Sequence, residues 1–216
     1  LVMVKPSTVL SSTKSVSAFN IASKPQMKVN PVFAAGSAML NFTHSEDQAN
    51  DFKIQPLMTN MYSFSGPRFA KADVNGDRLE DIYICGPRNH PGRLFLQQRD
   101  GNYREDVQKI FATDMVYEDC GAIFFDADND GDLDLYVVSG GFQVDDSTQL
   151  DDRLYLNDRG KFSRPKGLLP AKAVAGSVIV PMDFDRDGDL DLFAPGRVVP
   201  GEYPLSPRSR LLVNNG

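Results

Sequence analysis

Short apolar runs recur through the last two-thirds of the chain, each flanked by acidic or turn-forming residues. Phe69-Ala70, Ile123-Phe-Phe125 and Val178-Ile-Val180 each lead into an acidic stretch. Ile82-Tyr-Ile84, Leu135-Tyr-Val-Val138 and Leu192-Phe-Ala194 follow those stretches. A third run comes later in each unit: Arg93-Leu-Phe-Leu-Gln97, Arg153-Leu-Tyr-Leu-Asn157 and Arg210-Leu-Leu-Val-Asn214. It closes on Asp100-Gly101, Arg159-Gly160 or Asn215-Gly216, and an aromatic resumes at Tyr103 and Phe162. Aromatic and β-branched runs of this length between turn residues predict strands. Each unit reads as strand A, acidic loop, strand B, longer loop, strand C, tight turn, strand D. The predicted class is all-β, built from four-stranded antiparallel units of propeller-blade length.

The acidic stretches repeat in register. Asp73-Val-Asn-Gly-Asp-Arg-Leu-Glu-Asp81 aligns with Asp126-Ala-Asp-Asn-Asp-Gly-Asp-Leu-Asp134 and Asp183-Phe-Asp-Arg-Asp-Gly-Asp-Leu-Asp191, with starts 53 and 57 residues apart. They define units of about 61–115, 116–172 and 173–216. The last unit stops at a hairpin dipeptide before its strand D, and a propeller needs roughly four to eight blades to close. About three blades of an incomplete propeller, a fragment of a longer protein, are therefore expected. Residues 1–60 lack the repeat and read as an arm or linker, partly extended, with Val32-Phe-Ala-Ala35 and Ala38-Met-Leu40 as apolar clusters that could pair with a blade.

Charge sharpens this picture. The three nine-residue windows hold 14 of the 29 acids and only two bases, Arg78 and Arg186. Acid at that density repels itself unless a cation sits among it. The net charge of −6 argues against a general nucleic-acid binder, and no run nears the roughly 18 apolar residues of a membrane helix. Two cysteines are too few for a disulfide framework, and Cys85 and Cys120 are read as two buried thiols.

Oxygen ligands at loop positions 1, 3, 5 and 9, with a backbone carbonyl at 7, suit a hard cation, and calcium accepts six to eight oxygens in irregular geometry. The expected ligands are Asp73, Asn75, Asp77 and Asp81, then Asp126, Asp128, Asp130 and Asp134, then Asp183, Asp185, Asp187 and Asp191. Leu79, Asp132 and Asp189 would contribute carbonyls. Magnesium prefers strict octahedra, and zinc would want Cys or His, which the loops lack. An EF-hand needs Glu at position 12 and helical flanks, whereas these loops have Ile84, Val137 and Ala194 there. Two or three Ca²⁺ ions are expected. The 73–81 loop should be weakest, with a neutral amide at Asn75 and with Arg78 where the others carry Gly131 and Gly188.

The nonapeptides and the Leu-Tyr-Val or Leu-Phe-Ala that follows resemble the FG-GAP/VCBS repeats of integrin α-subunit propellers and secreted bacterial proteins. A narrower resemblance, to bacterial VCBS proteins of the ASPIC/UnbV type, rests on Phe42-Thr-His-Ser-Glu46, Ser65-Gly-Pro67, Glu118-Asp119 and Arg197-Val-Val-Pro-Gly-Glu-Tyr-Pro204. These resemblances imply a seven- or eight-bladed calcium-bound propeller, exported to the cell surface or beyond it, the bacterial outer-membrane surface on the narrower match. They do not assign a ligand.

In an up-and-down blade, the acidic loops share one end with the C–D turns. The opposite end carries 86–92, 139–152 and 195–209, where His90, Phe142, Asp145, Asp146, Arg197 and Tyr203 are candidates for contacting a protein or glycan partner at the cell surface, or the remaining blades. Catalytic motifs are lacking. His44 and His90 are far apart in sequence and read as surface or turn residues, and no Gly-x-Ser-x-Gly, phosphate loop or His-Glu-x-x-His occurs. Arg93, Arg153 and Arg210 read as blade-to-blade salt bridges, with anion recognition as the other role. A non-enzymatic binding or scaffold module is expected. The alternative is part of a secreted polysaccharide-active enzyme whose catalytic groups lie opposite the acidic loops or outside this sequence.

Overall fold

A computed structural model describes residues 40–46, 50–63, 66–142, 146–172 and 174–216. Among these residues, eleven strands fall in three antiparallel sheets. The first is β1 (Phe69–Ala72), β2 (Asp81–Ile84), β3 (Arg93–Gln97) and β4 (Tyr103–Asp106), in that order. The second is β5 (Asp119–Phe125), β6 (Asp134–Ser139), β7 (Arg153–Asp158) and β8 (Lys161–Ser163), again in chain order. The third holds β9 (Val180–Met182), β10 (Asp191–Ala194) and β11 (Arg210–Leu212), with β10 in the middle. These are propeller-like meanders that do not close on themselves. Among the described residues the protein is all-β apart from one short helix and two 3₁₀ turns.

Registers place the loops as the repeat demands. Phe125 pairs with Asp134, Ala72 with Asp81 and Met182 with Asp191, so each acidic loop spans the A–B hairpin at one end of its sheet. The third A strand differs from expectation. The apolar run 178–180 predicts its position, but pairing begins at Val180 and continues through Pro181 and Met182. Pro181 donates no backbone hydrogen bond and is tolerated because β9 is the edge of its sheet.

Burial between sheets explains the composition of the strands. All six residues of β6 are buried: Leu135–Val138 form a continuous apolar run, and Asp134 and Ser139 at its ends are satisfied by hydrogen bonds. Tyr83, Leu94, Leu135, Val137, Tyr155 and Phe162 form a core joining the first two sheets, while Phe125, Tyr136, Val138, Ile179 and Leu192 join the second to the third. Between β4 and β5 lies α1 (Lys109–Thr113), which the sequence pattern did not reveal. Five residues are too few to display a helical period. Its Phe111 wedges against the rings of Tyr83, Tyr155 and Phe162, with centroids 5.2, 5.3 and 5.8 Å away.

Residues 50–63 belong to the same packing. Met58 is buried with Phe142, Leu150, Ala175 and Val198. Asp51, fully buried, accepts hydrogen bonds from the Tyr62 and Ser63 amides and the Ser63 hydroxyl. The apolar clusters at 32–35 and 38–39 lie outside the described residues.

Candidate metal sites

Each loop curls because its own acids accept its backbone N–H groups. Asp73 accepts from Gly76, Asp77 and Arg78. Asp126 accepts from Gly131, and Asp183 from Arg186. At position 5, Asp77, Asp130 and Asp187 each accept from the amide two residues on, at 2.9 Å in all three loops. Asn75 accepts from Asp77, and Asp185 from Asp187. Position 6 is left-handed throughout, with φ of 92° at Gly131 and 102° at Gly188. Arg78 takes φ 70° there, but Asn129 (φ 58°) and Arg186 (φ 67°) are left-handed at position 4 of the other loops, where the first has Gly76, so backbone strain does not single out the first loop.

Position 9 has a different role from the rest. Asp81, Asp134 and Asp191 are 0% exposed. One oxygen of each accepts from position 2 of its own loop: Val74 at 3.2 Å, Ala127 at 2.8 Å and Phe184 at 2.8 Å. The other accepts from the end of strand C, from Gln97, Asn157 and Asn214, at 2.8 Å each. The carboxylate thus ties the acidic loop to the far strand, while each oxygen retains a second lone pair. Burial pushes Asp134 up to about 6, with Asp128 and Asp130 adding to the rise and the two amide bonds opposing it. Burial also raises Asp81. At Asp191 the hydrogen bonds from Asn214 and Phe184 prevail and hold the group below the usual range.

Carboxylate oxygens converge within 4.8 Å at two places among the described residues: Asp126, Asp128 and Asp130, and Asp183, Asp185 and Asp191. The first cluster contains an orphan. Asp126 Oδ1 is buried and has no hydrogen-bond partner. A buried carboxylate oxygen without a donor is costly, and a cation or an ordered water would satisfy it. The donor set is all oxygen, which fits a hard cation and calcium above all. No such convergence of three acids occurs in the 73–81 loop. The side chains at position 7 bind neighbours instead: Asp132 accepts from the Arg159 amide and Asp189 from the Asn129 side chain.

The loops are also coupled from sheet to sheet. Asn157, at the end of β7, donates its side-chain amide to Val74 O in the first loop and to Leu133 O in its own. Asn214 repeats the grip on Ala127 O of the second loop. Nothing in the sequence reading anticipated this role, although the Asn closing two of the three Arg-Leu-x-x-Asn/Gln runs was its visible trace.

At the opposite end, the candidates scatter. Phe142 is 3% exposed and packs as core, stacking on Tyr62 at 5.7 Å. It supports a loop and offers no outward contact. Asp146 caps the 3₁₀ turn Ser147–Leu150 by accepting from Thr148. Tyr203 is exposed, and Asp145 lies outside the described residues. His90 lines a cavity of about 240 Å³ with His44, Phe42, Cys85 and Arg93. His44, expected at the surface, is half-buried and bonded to Glu46 at 2.6 Å. Cys85 and Cys120 are free and buried; burial pushes the Cys120 thiol up to about 12.

The repeated arginines were expected to bridge neighbouring blades, and only Arg210 does so. Arg93 pairs with Glu105 and Arg153 with Asp119, each within its own sheet, whereas Arg210 reaches Asp152 of the preceding sheet.

Residues 73–137, from the first acidic loop into β6, match the model of the FG-GAP-like repeat. That segment is therefore similar to an FG-GAP-like repeat. No curated protein shows significant similarity to the chain.

Proposed function

We propose that the chain is a calcium-binding propeller segment that serves as a binding or scaffold module. The orphaned Asp126 oxygen within the Asp126–Asp128–Asp130 cluster carries this reading. Calcium would be held there by Asp126, Asp128 and Asp130, and in the third loop by Asp183, Asp185 and Asp191, with Asp187 adjacent. The 73–81 loop is a third and weaker site. A bound ion would cancel the mutual repulsion of these acids and fix the loops that the strand ends grip.

The loops are solvent-facing, and exposed sites of this kind suit the roughly 10⁻⁴–10⁻³ M calcium outside cells. That supports an exported, surface-located protein of the VCBS class, with its partner at the end away from the metal. Native mass spectrometry tests the metal reading. Two or more calcium ions should remain on the chain, with one lost in Asp128→Asn and a different one in Asp185→Asn. Equal calcium retention by both variants and the parent would refute it.

A further inference from the structure

Cations that are not fully exposed follow a pattern among the described residues. Arg93, Arg153, Arg164, Lys172 and Arg210 each face a carboxylate. Arg88 lies within electrostatic reach of Glu118. Arg197 departs from the pattern. It is half-buried, faces no carboxylate among the described residues, and lies over the Tyr62 ring at 4.1 Å.

Its position is fixed from both sides. The Arg197 amide donates to Ala175 O and the Ala175 amide to Val198 O, both at 2.9 Å, while Tyr62 is backed by Phe142. The guanidinium is thus held in place with its hydrogen-bonding fork uncommitted to any described side chain. The Tyr62 ring satisfies the face of this cation, but its N–H donors are left to solvent or to a ligand.

Arg197 lines a cavity of about 550 Å³ together with Arg68. The walls are Phe69 of β1, Ile123 of β5, and Val178 and Ile179 leading into β9, so the cavity runs across the first strands of all three sheets. Gly121 lets the third sheet approach: a Cβ there would stand 2.9 Å from Ser177 O. Arg68 precedes β1 and Arg197 follows β10, which puts both cations at the end remote from the acidic loops. Phe69 and Val178 are large apolar residues left exposed beside them.

We propose that this cavity binds a small ligand carrying an oxyanion on a flat apolar body. Arg197 and Arg68 take the oxyanion, whose paired oxygens match the guanidinium fork, and the body lies against Phe69 and Val178. The proposal deepens the binding-module reading and rests on it, but not on calcium.

Benzoate and benzenesulfonate, titrated into the intact chain by calorimetry, serve as probes for the carboxylate and sulfonate forms. Benzylamine supplies the same ring with opposite charge. At least one anion should bind saturably and benzylamine should not. Arg197→Ala should weaken anion binding at least tenfold, with Arg197→Lys retaining part of it and both variants melting near the parent temperature. Should Arg197→Ala fail to fold, the exposed Arg68→Ala should still weaken binding at least threefold. The absence of saturable anion binding, equal binding of benzylamine, or unchanged affinity in the folded variants would overturn the proposal. Calcium uptake by the same samples separates failure of this site from failure of the metal reading.

Discussion

Asp134 and Asp128 lie six residues apart in one loop and should answer differently to the same substitution. Asp134 is buried and accepts from Ala127 and Asn157, so Asp134→Asn turns a donor toward an amide that needs an acceptor. Without calcium, that variant should lose about 1.5–3 kcal/mol in a denaturant melt. Asp128→Asn removes one charge from a self-repelling cluster and should leave calcium-free stability unchanged or slightly higher. Equal losses would mean that position 9 is not the staple described. Glu118 provides a pH signature of a different kind. Burial, reinforced by Glu46 and Asp51, pushes its carboxyl up to about 7, against 4.5 unfolded. Between those values the unfolded state holds fewer protons, so stability falls as pH rises through the window, by about 3 kcal/mol at its upper end. Glu118→Gln should flatten that slope relative to the parent and leave stability near pH 4.5 unchanged; parallel pH profiles would contradict the assignment.

Between elements, the decisive contacts are those that join one sheet's strand C to the preceding sheet's loop. Asn157→Ala strips Val74 O and Leu133 O of their donor and should cost about 1–3 kcal/mol. Calcium affinity at the first loop should fall with it, whereas a solvent-face change such as Lys161→Ala should alter neither. Identical behaviour of the two variants would remove the coupling. The elements themselves were largely legible in the sequence. Strands B and C announced themselves as Leu135-Tyr-Val-Val138 and Arg153-Leu-Tyr-Leu-Asn157, because apolar runs beside fixed acidic loops leave one register. The three nonapeptides located the candidate metal clusters for the same reason. What stayed hidden was set by tertiary packing. The α1 helix exists because Phe111 fills a gap among three rings, and β9 slid two residues toward its loop. Tyr83, Tyr136 and Tyr155 hydrogen-bond to Asp119, Asp152 and Asp114, and such pairings between separate segments have no local sequence signal. Likewise Arg197 was legible as a ligand-face candidate, but its place over Tyr62 was not, because only folding brings the two together.

Across the whole molecule, charge and architecture tell one story. The acidic windows concentrate negative charge at one end of the three sheets, and the remainder of the chain is net positive. The loops at that end are not independent: Asn129 bonds Asp189 at 2.6 Å, and Asn157 and Asn214 bind the first and second loops to the following sheets. Cations in these loops would therefore stiffen the contacts between sheets as well as the loops. Ligand binding at a site present only in the folded state adds roughly 2.7 kcal/mol at a hundredfold excess over Kd. For a chain of this size that is roughly 5–10 °C in Tm per filled site. The most direct measurement is calorimetric calcium titration of chelator-treated protein, with thermal melts on the same samples. The account predicts two or three equivalents bound and a matching rise in Tm. An absence of binding heat together with an unchanged melt would contradict it.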